Sequence, residues 1–129
     1  MRYKLDITPH EFYIHIKVSD SGTFTNTMDG WKEIIDACHK YNCYNVLGEQ
    51  HISTILSTLD ALTFPEMIKQ AGLTSKFRIA WVDTNPRTRE TTTFIRNLLT
   101  SRSMINGRLF KNVEDAKQWL LLPFSQIKI

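Results

Sequence analysis

The chain has 129 residues, 42% of them hydrophobic and 22% charged, which is typical of one globular domain spanning 1–129. No apolar run reaches the roughly 18 residues of a transmembrane helix, and residues 1–6 carry charge where a signal peptide needs an apolar stretch. We therefore expect a cytoplasmic protein without a transmembrane segment. The five glycines are scattered singly, which excludes a glycine-rich phosphate loop.

The cysteines and histidines predict neither a metal nor a cofactor. Cys38 and Cys43 are five positions apart, so a continuous helix would place them on different faces, which favours neither a disulfide nor a shared metal. The four histidines share no metal-ligand spacing with one another or with carboxylates. No serine stands between glycines as in a hydrolase nucleophile elbow, and we expect no catalytic residues.

The first half of the chain changes from a strand-like to a helix-like pattern. Residues 1–18 alternate polar and apolar side chains around a proline-containing turn at 8–11, which predicts an antiparallel hairpin. From about 26 to 42, apolar residues recur every three or four positions, which predicts a helix ended by Asn42. A strand then begins near residue 44.

The middle of the chain gives a weaker pattern. Residues 51–62 are rich in serine and threonine, which lower helix propensity, and we predict a strand end and loop with at most a short helical turn. A short helix follows. Pro65 is predicted to lie in its first turn, and Gly72 just after its end, where a positive φ is needed.

The segment 77–121 has the pattern strand, helix, strand, helix. Residues 77–83 are nearly all apolar, which indicates an interior strand buried on both faces. Asn85 is predicted to cap the next helix, and Asn112 the closing helix. The buried stripe of the first of these helices is predicted to comprise Phe94, Ile95, Leu98, Leu99 and the stem of Arg102.

This order of elements predicts an α/β fold. We expect a four- to five-stranded mixed sheet, opened by the N-terminal antiparallel hairpin and otherwise mostly parallel, with helices packed on it.

Positive charge is concentrated in one segment. Residues 78–111 contain seven basic and two acidic side chains, although the whole chain carries only +3. Arg87 and Arg89 fall in the first turn of a predicted helix, where their charge opposes the helix dipole. This indicates an anion site made by free N–H groups and by Thr84, Asn85, Arg87 and Arg89. In the alternative, both arginines face water or pair with Asp83 and Glu90.

Three stretches carry a family resemblance: the strand 78–82, Phe94 followed by Asn97, and the tail 108–120 with its Ala-x-x-Trp-Leu ending. They resemble the bacterial SpoIIAA-like family, whose members are similar to anti-sigma-factor antagonists and are grouped with STAS domains and, more loosely, with the lipid-binding Sec14 fold. The resemblance implies a non-catalytic regulatory or binding module that acts through a protein partner or a small anionic or lipid ligand.

In phosphorylatable anti-sigma antagonists, a serine within an Asp-Ser-Ser-Gly-type motif follows a central strand. Residues 49–54 occupy that region here and offer Ser53 and Thr54, but without the acidic neighbour and the glycine. The resemblance therefore gives only weak support to phosphorylation at either hydroxyl. A nucleic-acid partner is not expected, because no aromatic side chains interleave with the arginines.

Two other functions stay open. An enzyme with an unrecognised or dimer-interface active site would show a deep pocket lined by Asp83, His51 or Glu49. A structural homodimer would use the hairpin or a helix face.

Overall fold

The computed structural model describes residues 4–19, 24–52, 57–102 and 105–125, with side chains from 27 in the second stretch and up to 122 in the last. Strands and helices follow in the predicted order: β1 (Lys4–Pro9), β2 (Ile14–Ser19), α1 (Phe24–Lys40), β3 (Asn45–His51), α2 (Thr58–Ala71), β4 (Arg78–Asp83), α3 (Pro86–Ser101), β5 (Asn106–Phe110) and α4 (Val113–Ser125).

The strands form one mixed sheet in the spatial order β1-β2-β3-β4-β5. β1 pairs antiparallel with β2, and the remaining neighbours pair parallel. Each parallel pair is joined by a helix, as parallel connections require. The predicted mixed sheet opened by an antiparallel hairpin is therefore confirmed, and β4 is an interior strand as expected. Within the described part of the chain, no helix combines the length and the apolar character needed to cross a bilayer.

Helices cover the two faces of the sheet unequally. α1, α2 and α3 lie on one face and share a continuous apolar core with it. This core includes Ile16, Ile34, Val46, Ile68 and Leu99. α4 lies on the other face, where Ala116 and Leu120 pack on Leu47 and Ala80. All four are fully buried, and the small Ala116 side chain allows the helix to approach the sheet closely.

The closing helix is capped as predicted. The Asn112 side chain accepts a hydrogen bond from the backbone N–H of Asp115 at 2.8 Å and donates one to its carboxylate at 3.2 Å. Trp119 is half-buried and packs against Phe110, with 5.7 Å between ring centroids.

One tryptophan lies flat across the sheet beneath the three-helix layer. The Trp81 ring covers the backbone of Gly48 on the neighbouring strand, and any side chain at Gly48 would overlap that ring. Trp31 of α1 stacks on Trp81 at 5.5 Å and 25°. The indole N–H donates to the Gln50 side chain at 2.8 Å, so three neighbours fix the position of this ring.

The prediction for the region before Gly72 was wrong. α2 begins at Thr58, not near Pro65, and Pro65 lies inside the helix, where it is fully buried. Ser57 caps the helix, accepting from the backbone N–H of Asp60 at 3.1 Å, and this bond offsets the weak helix propensity of the residues around it. The predicted end was right, since Gly72 follows the helix at a φ of 104°.

Two side chains of the predicted α3 stripe face outward. Phe94 is 40% exposed and Arg102 is exposed, whereas Leu99 is buried as expected. The helix turns two threonines, Thr88 and Thr92, toward the sheet, because their hydroxyls bind a buried carboxyl group there.

The cysteines do not lie on one continuous helix. α1 ends at Lys40, and Asn42 takes a φ of 48°, as predicted for a terminator. The reversed chain lets the N–H of Cys43 donate to the carbonyl of Cys38 at 3.0 Å. Both thiols are free, and Cys43 packs against the core cluster that contains Cys38.

Candidate functional site

The candidate site lies where β3 and β4 end. Because these strands are parallel, their carboxyl ends meet at the same edge of the sheet, and α2 and α3 begin beside them. In open α/β sheets, ligands commonly bind at this edge, which we call the carboxyl edge.

A buried carboxyl group organises the carboxyl edge. Asp83 ends β4 and is only 1% exposed. Its Oδ1 accepts from the backbone N–H of Asn85 at 3.0 Å, and its two oxygens accept from the hydroxyl of Thr88 at 3.0 and 2.9 Å. Thr92 donates to Oδ2 at 2.8 Å and Gln50 at 3.4 Å. These donors replace the water that the carboxyl group loses on burial.

The same group links strand, helix and tryptophan. The Gln50 side chain donates to Asp83 and accepts from the Trp81 indole, so β3, β4 and the first turns of α3 are joined by side-chain hydrogen bonds. The start of α3 is thus held rigidly against the sheet. No cationic side chain pairs with the Asp83 carboxyl group among the described residues.

The four residues predicted to hold an anion all lie at the carboxyl edge. Thr84 and Arg87 are exposed, and Asn85 is the helix cap. Arg89 is half-buried and donates through Nη1 to the backbone carbonyl of Asp83 at 2.8 Å, so it pairs with neither of the carboxylates considered from the sequence.

The backbone donors at this helix start already have acceptors within the chain. The N–H of Arg87 donates to the Asn85 side chain at 2.9 Å, and those of Thr88 and Arg89 donate to the Asn85 carbonyl at 3.1 and 2.9 Å. An anion at the start of α3 would therefore be held mainly by the side chains of Thr84 and Arg87. Its binding stays a prediction.

The start of α2 presents apolar side chains to solvent at the same edge. Leu59 is 70% exposed and Leu62 is 50% exposed, and their spacing of three places them on the same side of the helix. The opposite side of α2 is anchored in the core by Ala61, Phe64, Met67 and Ile68. Ser53 and Thr54, the candidate phosphorylation sites, lie outside the described residues.

A third polar group lies on the other face of the sheet. Glu49 contacts Nε2 of His15 on β2, and its second oxygen lies 3.4 Å from Nε2 of His51. His15 is half-buried and alternates along β2 with the buried Ile14 and Ile16. No group of histidine, cysteine, aspartate and glutamate side chains suited to a metal is present in the described ranges.

Sequence reasoning missed the Asp83 network and the exposed leucines. A usable signal for the network exists: a strand-ending aspartate followed by threonines at positions five and nine later, which share one helix face. Leu59 and Leu62 lie in the segment 51–62, for which the sequence predicts a strand end and loop. Their exposure on one side of a helix could therefore not be predicted.

No protein-family model and no curated protein matches the sequence. Among solved structures, the chain is similar to the crystal structure of an anti-sigma factor antagonist from Mycobacterium paratuberculosis. The TM-score is 0.63 at 13% sequence identity, and the match covers 92% of this chain and 94% of the other. The chain therefore has the α/β fold of an anti-sigma factor antagonist, and the resemblance seen in the sequence is confirmed at the level of the fold.

Proposed function

We propose that this protein is a non-catalytic regulatory module that binds a partner protein at the carboxyl edge of its sheet. The observation that carries the proposal is the pair Leu59 and Leu62, 70% and 50% exposed on the first turns of α2. Apolar side chains in a cluster at the surface mark interaction sites, because burying them in a complex removes their area from water.

The fold indicates the class of partner. The solved structure that this chain resembles is named for antagonism of an anti-sigma factor, which is itself a protein. We infer that this chain also acts on a protein of the anti-sigma-factor type.

The leucine pair is well placed for binding because α2 is held rigidly. Ser57 caps the helix, and Phe64 and Ile68 bury its inner side. Little conformational freedom is then lost when a partner covers the outer side.

Arg87 adds positive charge to the carboxyl edge. Its side chain is exposed and makes no ion pair with a described residue. We propose that Arg87, together with Thr84, meets an acidic group of the partner or a small anion, with Asn85 and Arg89 holding the helix start in place.

The separation of Glu49 from Asp83 supports binding over catalysis. Glu49 and Asp83 occupy alternate registers of paired strands, so their side chains lie on opposite faces of the sheet. The cavity between the sheet and its three-helix layer is lined by neither of them, nor by His51.

Binding to the anti-sigma factors of the source organism, measured by isothermal titration calorimetry, tests the proposal. We expect at least one complex, and we expect Leu59→Asp with Leu62→Asp to weaken it by about 100-fold or more, as for two residues at the centre of an interface.

Leu122→Asp is the matched control. Leu122 is 47% exposed on α4, across the sheet from α2, and its substitution should leave the affinity unchanged. If no anti-sigma factor binds, or if the α2 and α4 variants bind equally well, the proposed function is wrong.

A further inference from the structure

A partly open pocket of about 140 Å³ lies between the sheet and α1, α2 and α3, and we call it the cavity. Its walls are mainly apolar, and the residues that matter for its shape are Trp31, Ile34, Phe64, Trp81, Ile95 and Ile105. It is separate from the exposed leucines of α2, neither of which lines it.

The size of the cavity fits a small ring. An engineered apolar cavity of about 150 Å³ stays free of water and takes up benzene. A cavity of this size lined by aliphatic and aromatic side chains therefore gains dispersion contacts when one flat ring enters it.

The wall formed by the tryptophans favours a planar guest. Trp81 can lie flat on the sheet because Gly48 has no side chain beneath the ring. Its indole N–H donates a hydrogen bond to Gln50, which fixes the ring in this position. Trp31 lies nearly parallel to it, at 25°. A flat molecule can pack against this pair without any rearrangement of either ring.

Polar side chains of α3 also line the cavity. Arg96 lines it and is half-buried, and it makes no ion pair with a described residue. Its Nε donates to the Gly107 carbonyl at 3.3 Å and its Nη1 to the side chain of Asn97 at 3.0 Å, which fixes the guanidinium in place.

A second polar group accompanies Arg96. Thr91, five residues before Arg96 on α3, also lines the cavity and has no hydrogen-bond partner among the described residues, whereas the hydroxyls of Thr92 and Thr93 both bond to the helix backbone. A guanidinium without a counter-ion and a free hydroxyl are suited to a carboxylate.

From this arrangement we propose that the cavity binds a small aromatic carboxylic acid. The ring packs against Trp31 and Trp81, and the carboxylate meets Arg96 and Thr91. This site goes beyond the proposed partner binding, because neither Arg87 nor the exposed leucines of α2 line the cavity.

Benzoate and its neutral isostere benzamide test the proposal, with the indole N–H signals of the tryptophans followed by NMR. Benzoate is expected to shift the Trp31 and Trp81 signals saturably. Trp119 lies on the other face of the sheet and serves as an internal control that should not shift. Benzamide should bind about tenfold or more weakly, because it lacks the charge that pairs with Arg96.

Two variants and a matched control sharpen the test. Arg96→Gln should weaken benzoate binding about tenfold, whereas Arg102→Gln, an exposed arginine at the end of the same helix, should not change it. Ile95→Phe should abolish binding by filling the cavity, and its unliganded spectrum shows whether it folds.

The absence of a saturable shift at Trp31 and Trp81 would overturn the proposal. Equal binding of benzamide, or unchanged binding by Arg96→Gln, would overturn it as well. None of these three results bears on the partner-binding proposal, whose variants lie on α2.

Discussion

Arg78 shows how one side chain completes the closing helix. Pro123 lies within α4 and has no N–H group, so it cannot donate the usual α-helical hydrogen bond to the carbonyl of Trp119, four residues earlier. The Nη2 of Arg78 donates to that carbonyl at 2.6 Å, and the guanidinium lies 3.8 Å from the centre of the Trp119 ring. Burial lowers the pKa of Arg78, yet arginine remains charged at neutral pH.

Replacing Arg78 should therefore be costly. We expect Arg78→Met to lower the free energy of unfolding by about 1–3 kcal/mol, because the Trp119 carbonyl is left without a donor. The same change in a Pro123→Ala background should cost about 1 kcal/mol less, since alanine at that position restores an N–H group. Urea unfolding of the four proteins of this cycle measures the coupling. Equal costs in both backgrounds would show that the proline is not the reason for the Arg78 contact.

Cys38 is fully buried in the core. Burial, with a smaller contribution from Cys43, raises the pKa of its thiol from 9.0 to about 12. The thiol is therefore protonated at neutral pH, and it acts as a small apolar core residue.

This shift predicts a loss of stability at alkaline pH. Since the folded pKa is above the unfolded one, the contribution of the thiol is fully present below pH 9 and is lost as the pH rises toward about 12. Above pH 9 the slope should approach about 1.4 kcal/mol per pH unit.

Urea unfolding between pH 8 and pH 10.5 under reducing conditions checks this prediction. Cys38→Ala should lose stability less steeply with pH than the wild-type protein, and Cys43→Ala should keep most of the slope. Parallel pH profiles for wild type and Cys38→Ala would contradict the assignment.

At the scale of the elements, α2 depends on its cap. Ser57 accepts from the N–H of Asp60, and Thr58, which begins the helix, has low helix propensity. We expect Ser57→Ala to lower the free energy of unfolding by about 1 kcal/mol. Ser57→Asp should retain most of the stabilisation that the cap provides, because aspartate is also a good N-cap residue. Amide hydrogen exchange at Asp60 should speed up in the alanine variant and not in the aspartate variant. If both variants behave like the wild type, the cap does not stabilise this helix.

The order of the elements could be predicted from hydrophobic periodicity, but the length of α2 could not. Serine and threonine near its start lower the propensity of an isolated helix, and the packing of Ala61 and Phe64 on the core outweighs this. A pattern of single residues does not contain that tertiary contribution.

For α3, the sequence predicts the helix but not which of its side chains face the sheet. Phe94 was expected inside because it is apolar, but the helix turns Thr88 and Thr92 inward to bind Asp83. A buried carboxyl group without donors costs several kcal/mol, which is more than the exposure of part of one phenyl ring. Of the candidate site, the helix start at Asn85 could be predicted, whereas the network depends on side chains that only the folded sheet brings together.

At the scale of the whole molecule, two regions are available for different ligands. The carboxyl edge presents Leu59, Leu62 and Arg87 to solvent, and the cavity lies between the sheet and the three helices α1, α2 and α3. The Asp83 network contributes to the rigidity of the edge, since Gln50 and Thr92 bind the same carboxyl group from different elements. We therefore predict that the partner binds a preformed surface.

Chemical-shift mapping locates the surface that the partner binds. The ¹⁵N-labelled protein is titrated with the anti-sigma factor that binds it, and amide shifts are assigned to the elements. We predict that the shifts concentrate in the first two turns of α2 and at the start of α3, with α4 unchanged. Shifts concentrated on α4 or on the β1–β2 hairpin would contradict the account.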